Sequence, residues 1–379
     1  MKGIKTTIAA AAALLAAGAA QAEPVKVGMI TTLSGGGAGL GIDARDGFML
    51  AVKQANNPDL EVVIEDDQRK PDVAVQLADK MIQQEKVDVL TGIIWSNLAM
   101  AVVPSAVAQD KIYMSVNAAP SQLAGRGCNK NYFSVSYQND NLHEAAGGYA
   151  SSAGYEKAFI LAPNYPAGKD SLTGFKRYFF GDITDEVYTK LGQTDYAAEI
   201  AQIRESDADH VFFFLPGGMG IAFMKQYAQS GVDKPLIGPA FSMDQGILGA
   251  VGDAALGVKN TSNWSKDIDN PTNAAFVESF KAEYDRLPSR YASFGFDTAN
   301  LLLSAMDKAS ISDKDAFREA LRAADFNSVR GKFTFGPNQH PIQDLYVREV
   351  VKEGDILTNK IVGTALTDHS DAYASECSM

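Results

Sequence analysis

Residues 25–52 read VKVGMITTLSGGGAGLGIDARDGFMLAV. Val25 to Thr32 is a short apolar run that ends at a glycine-rich stretch, as a buried strand does. From Ile42 to Asn56 the apolar positions Phe48, Leu50, Ala51, Val52 and Ala55 predict a helix. Between them the loop LSGGGAGLG turns the chain. The same alternation continues. Leu60–Ile64 is an expected strand that stops at the acidic run Glu65-Asp66-Asp67. Pro71 opens an expected helix over Asp72–Lys86, whose apolar positions Ala74, Leu77, Ala78, Met81 and Ile82 share one face. Val87–Gly92 and Ile112–Val116 read as strands, with a helix at Leu98–Gln109 between them. This rhythm predicts an α/β fold, a parallel sheet flanked by helices on both faces.

A second series follows the short strand Phe133–Tyr137. Strands are expected near 158–161, 183–188, 210–215 and 236–237, and helices near 141–153, 167–180, 196–204 and 218–229. Phe212-Phe213-Phe214 reads as a strand buried on both faces. From Asn270 the pattern changes to helices at Thr272–Asp285, Tyr291–Ala309 and Lys314–Ala323. Strands close the chain at Lys332–Phe335, Leu345–Val351 and Ile356–Val362. Two α/β series with a helical block and a strand tail predict two lobes. The length of 379 residues agrees, because one core rarely grows beyond about 250–300.

Lys and Arg number 34 against 46 Asp and Glu, a net charge of -12, which argues against nucleic acid as a partner. His143, His210, His340 and His369 are far apart in sequence and no Cys-x-x-Cys occurs, so no metal site is expected. There is no G-x-S-x-G elbow and no Cys/His nucleophile pattern, so no enzyme chemistry is expected.

Residues 1–22 read as a leader. Lys2 and Lys5 precede the apolar stretch Thr6–Ala20, and Ala20-Gln21-Ala22 fits a cleavage site, with Glu23 as the expected first mature residue. The alternative, a membrane anchor, needs about 20 apolar residues and a stop-transfer flank. Export permits disulfides. Cys128 and Cys377 are the only cysteines, and a bridge between them is expected; the alternative is two free thiols.

Gly39-Leu40-Gly41-Ile42-Asp43-Ala44 satisfies G-x-G-x-x-A, and Asp66 follows on a second strand. That suggests an exported dinucleotide-dependent enzyme, with pyrophosphate at the helix start. The long loop, its excess glycines and the late acid argue against it. No cofactor is expected.

The order of motifs carries a resemblance. VDVLTGIIWSNLAMAV (87–102), IYMSVNAAPSQLAG (112–125), YAAEIAQIRESDADHVFFFLPGG (196–218), PLIGPAFSMD (235–244), RYASFGFDTANLL (290–302) and FTFGPNQHPIQDLYVREVV (333–351) follow the opening segment. Nearly the whole chain beyond the leader resembles the type I periplasmic solute-binding proteins of ABC importers, in the leucine/isoleucine/valine-binding branch. The resemblance implies two Rossmann-like lobes joined by three crossing strands, near Phe133–Tyr137, Asn260–Asn263 and Phe335–His340. It places 23–135 plus 262–335 in lobe 1 and 136–261 plus 336–379 in lobe 2. A periplasmic monomer that delivers a small ligand to permease subunits is expected.

The resemblance also implies a site. Trp95-Ser96-Asn97 matches the turn whose hydroxyl holds a ligand carboxylate. The turn Asn117–Ser121 matches one that gives backbone N–H groups and a hydroxyl, through Ala119 and Ser121. For Ser96 and Ser121 the alternative is helix capping. Amino-acid binders present an acid in the second lobe, and the matching position here is Ala240. The family's first aromatic falls at Leu40. A buried ammonium without a counter-charge is costly. The expected ligand is therefore a carboxylate without an amino group, an aromatic or other organic acid, among Leu40, Trp95, Tyr165, Phe241 and Tyr291. A branched-chain amino acid is the alternative. Arg69 and Arg126 are further possible carboxylate partners.

Overall fold

The computed structural model describes residues 24–379. The expected leader and its cleavage site lie outside the described residues. The strands are β1 (Val25–Thr31), β2 (Leu60–Asp66), β3 (Val89–Thr91), β4 (Ile112–Ser115), β5 (Tyr132–Ser134), β6 (Lys157–Pro163), β7 (Asp182–Thr189), β8 (His210–Phe213), β9 (Leu236–Pro239), β10 (Lys259–Ser262), β11 (Thr334–Phe335), β12 (Pro341–Glu353) and β13 (Ile356–His369). The first sheet has the order β2-β1-β3-β4-β5 and is parallel throughout. The second runs β11-β12-β10-β9-β8-β6-β7, with β13 paired to β12. Its β10 to β7 part is parallel, and β12 joins antiparallel to β10, β11 and β13.

The chain passes between the sheets after β5, after β10 and before β11. The first passage is hydrogen-bonded along its length. Val135 N–H donates to Ser115 O at 3.0 Å, Asn139 N–H to Ala119 O at 3.0 Å, and Ser134 N–H to Gln339 O at 3.0 Å. After β10, the helices Pro271–Tyr284 and Arg290–Met306 return to the first sheet. Phe276, Phe280 and Phe296 share a core there with Val25, Met29 and Phe133.

Two expectations change. The first helix spans Ala38–Ala55, so it starts four residues before the expected Ile42, after a tight turn at Gly35–Gly37. Gly39 and Gly41 are therefore helical and form no phosphate-cradling loop. Asp66 is inside β2, and its Oδ1 accepts Leu33 N–H at 2.9 Å and Gln68 N–H at 2.8 Å. The acid proposed for a ribose is thus spent on the chain's own turn. The final hairpin is also longer than its apolar pattern suggested. β12 alternates buried and half-buried residues from Pro341 to Val347 and ends in the exposed Lys352 and Glu353, and β13 carries many exposed positions that an apolar-run reading passes over.

One close approach positions the site. A β-carbon on Gly47 would lie 1.9 Å from Ala292 O, and one on Gly295 would lie 2.0 Å from Ala44 O. Only two bare backbones let the helices Ala38–Ala55 and Arg290–Met306 meet so tightly. The contact fixes the start of the second helix, with Arg290 and Tyr291, at the junction of the two sheets. Cys128 and Cys377 are bonded, with their Cα atoms 5.6 Å apart.

Candidate functional site

The carboxyl ends of the strands in both sheets face each other, the place where open α/β sheets bind ligands. Between them lies a narrow cavity, with about 340 Å³ of empty space when the solvent at its mouth is included. After β3 the first sheet contributes Ile94, Trp95 and Ser96, and after β4 it contributes Asn117. The second sheet contributes Tyr165 and Ala167 after β6, Phe214 and Pro216 after β8, and Phe241 after β9. Leu40 and Tyr291 come from the two tightly packed helices, and Tyr137, Asn139 and His143 from the first passage and the helix it enters.

The apolar walls are aromatic. Trp95 and Tyr165 have ring centres 6.4 Å apart across the cleft, and Phe214 stacks on Tyr165 at 6.3 Å. Trp95 is fixed by its indole N–H, which donates to Thr32 Oγ1 at 3.1 Å, and by Arg69, which lies 4.8 Å over its ring. His143 lies parallel to Phe241 at 5.6 Å and meets Phe214 edge-on at 5.0 Å. These rings turn flat apolar faces toward the cavity.

Ser96 is the first residue of the helix Ser96–Ala108, which Trp95 caps without a side-chain bond. Leu98 and Ala99 make the first bonds to Trp95 O, so the Ser96 and Asn97 N–H groups belong to the open end of the helix. Asn139 Nδ2 donates to Ser96 Oγ at 3.1 Å. With its oxygen accepting there, the Ser96 hydroxyl proton is free to be donated. This differs from the capping alternative.

The remaining polar lining is neutral. Tyr137 donates to Asn117 Oδ1 at 2.7 Å, and Asn117 donates to Ile94 O at 2.7 Å. Burial holds the hydroxyls of Tyr137 and Tyr165 protonated, and pushes that of Tyr291 up to about 12. Burial first, and then the charge of Arg290, hold the His143 imidazole well below its ordinary range, so it is neutral. Its Nδ1 pairs with Ser171 Oγ at 3.2 Å, which leaves Nε2 as the other ring nitrogen. No Asp or Glu lines the cavity among the described residues.

The cavity brings together Leu40, Trp95, Ser96, Tyr165, Phe241 and Tyr291 of the expected residues. It does not include Asn97, Ala119, Ser121 or Ala240. Asn97 is half-buried on the second position of its helix. The Ala119 N–H is taken by Asn139 Oδ1 at 3.1 Å. Ser121 gives its N–H and its hydroxyl to Asp170 Oδ2 and Oδ1, at 3.0 and 2.7 Å. That spends on the second lobe the groups expected to hold a ligand. Ala240 only opens the turn from which Phe241 reaches in. Arg69 stays on Trp95, and the exposed Arg126 pairs with Glu376 at 3.7 Å. His143 and Phe214 were not expected in the cavity. Phe214 read as strand core, and nothing in the sequence brings His143 to the cleft except its closeness to the first passage.

A family model described as "Periplasmic binding protein" matches residues 24–355. The Leu/Ile/Val-binding protein homolog 6 of Brucella melitensis is 30% identical over 371 residues, covering 94% of each chain. Among solved structures, a solute-binding protein of an ABC transporter from R. palustris, in complex with benzoate, is similar with a TM-score of 0.89. It is 31% identical, and the match covers 94% of this chain and 100% of that one. A solute-binding protein from Rhodopseudomonas palustris BisB5, in complex with 3,4-dihydroxybenzoic acid, has a TM-score of 0.83 at 28% identity. Here 92% of this chain and 99% of that one are covered.

Proposed function

Since the chain belongs to the periplasmic binding protein family, we propose that it captures an aromatic carboxylate and delivers it to the permease of an ABC importer. The observation that carries this reading is the cavity wall. It offers the Ser96 hydroxyl and an open helix end to an anion, aromatic faces to a ring, and no acid to an ammonium. The solved relatives that hold benzoate and dihydroxybenzoate support it. The reading includes a periplasmic monomer, released from its leader after Ala22. Its lobes are 23–135 plus 262–335 and 136–261 plus 336–379. Ligand contact with both lobes favours the closed form by its differential affinity.

The test is a thermal shift on refolded, ligand-free protein with benzoate, 4-hydroxybenzoate, leucine, valine and NAD. A benzoate-type acid at 100 times its Kd adds about 2.7 kcal/mol and raises Tm. A shift with leucine or valine alone overturns the reading.

Closure has a steric requirement at Gly217. Its φ is +62°, and a β-carbon there would lie 3.3 Å from Gly36 O across the cleft. The Gly217→Ala variant is expected to bind benzoate about tenfold more weakly, a loss of roughly 1.4 kcal/mol, by isothermal titration. Unchanged affinity would show that the two lips need not meet.

A further inference from the structure

Arg290 precedes the cavity residue Tyr291 at the start of its helix. It is fully buried, and none of its Nε, Nη1 and Nη2 atoms makes a well-formed hydrogen bond, although the Tyr137 and Tyr291 hydroxyls lie near enough to act on its charge. A guanidinium has five N–H donors, and burying it with none used is costly. Asp244 Oδ2 lies 3.6 Å from Nε, beyond hydrogen-bond length. That carboxylate is shared, since Asp244 also caps the helix Gln245–Val251 and accepts the Arg290 backbone N–H at 3.4 Å. The other neighbours are rings. The guanidinium carbon lies 3.7 Å from the centre of Phe241, 4.5 Å from Tyr291 and 5.4 Å from Tyr137. All three residues line the cavity. The cation thus sits directly behind the cavity wall, where little water screens it.

We infer that Arg290 is the charge by which the cavity selects anions, a positioning residue whose field reaches the ligand carboxylate through Phe241, Tyr137 and Tyr291. This rests on the carboxylate reading above and adds the source of its selectivity. Ser96 and the helix end are hydrogen-bond donors with a partial charge, and they suit a neutral amide oxygen as well as a carboxylate. A full charge behind the wall distinguishes the two. The same field helps hold His143 neutral. Two unit charges roughly 7 Å apart at an effective dielectric of about 20 attract enough for about a 50-fold effect on affinity.

Benzoate and benzamide have nearly the same shape and differ in charge, so their affinities measured by titration calorimetry isolate this effect. Wild-type protein is expected to prefer benzoate. Arg290→Met is expected to lose about 10–50-fold for benzoate and less than about threefold for benzamide, while Arg290→Lys keeps the preference. A folded Arg290→Met protein with an unchanged benzoate-to-benzamide ratio overturns the inference. If Arg290→Met does not fold, Asp244→Asn tests the same field in the opposite direction. Removing the shared carboxylate should raise the ratio, and an unchanged ratio overturns the inference. Wild-type protein that binds neither probe but binds leucine overturns the aromatic-acid reading itself, and the inference with it.

Discussion

Arg330→Met is expected to lower stability by about 3–5 kcal/mol, the cost of breaking a buried ion pair from one side. Arg330 is buried like Arg290, but each of its three side-chain nitrogens donates a hydrogen bond. Nε donates to Asp297 Oδ2 at 3.0 Å, Nη1 to Ser136 O at 2.8 Å and to Gln343 Oε1 at 3.0 Å, and Nη2 to Val135 O at 2.6 Å. One side chain therefore ties the first passage between the sheets to the helix Arg290–Met306 and to β12. Its loss leaves the Asp297 carboxylate with only the Ser328 hydroxyl and the Val329 N–H, and the Val135 carbonyl without its donor, while Ser136 O keeps Asn263 and Gln343. Urea unfolding reads the effect as a lower midpoint at constant slope. The Arg330→Met, Asp297→Asn double variant should lose less than the sum of the two single losses. A single-variant loss below about 1 kcal/mol would refute this account of the junction.

The second large effect is covalent. Cys128 follows the short helix Ser121–Ala124 on the side of the first sheet, and Cys377 follows β13 on the second. The cysteines are 249 residues apart in sequence. In the chain-entropy account a closed loop of that size stabilises by about 5.5 kcal/mol. The tail it anchors is also docked by side chains. Tyr373 donates to Asp140 Oδ2 at 2.8 Å, and Asn338 Nδ2 donates to Asp371 Oδ2 at 2.9 Å. The Cys128→Ser, Cys377→Ser double variant should therefore unfold at a clearly lower temperature, and reduction of the wild type should reproduce most of that shift. Equal melting of oxidised and reduced protein would contradict it.

The alternation of strands and helices was legible because it depends on local periodicity. Val27, Met29, Val89 and Leu90 lie in one run each, and each run became a strand. Leu40 lines the cavity although its helix begins earlier than expected, since the family pattern fixed the residue and not the element. Ser96 was legible because its role follows from a turn that leads into a helix. Ser121 looked equivalent by the same logic. Its partner Asp170 is 49 residues further along and on the other lobe, so local sequence could not show that its donors were occupied. Arg290 was invisible for a related reason. Beside Tyr291 it reads as a surface residue at a helix start, and only the close packing at Gly47 and Gly295 encloses it. Local order was readable, whereas pairings made across the cleft were not.

Asp170 has a further consequence. Its carboxylate takes the Ser121 N–H and hydroxyl and the Asn139 amide at 2.9 Å, so it ties the turn after β4 to the helix after β6 by bonds of the chain's own groups. The fraction of empty protein that is already shut divides the intrinsic dissociation constant to give the apparent one. A change at this carboxylate would move the concentration range over which the protein responds, while the preference among ligands stayed as it was. On the proposed function, sensitivity and discrimination are thereby carried by different residues, the first by a latch outside the cavity and the second by the cavity wall.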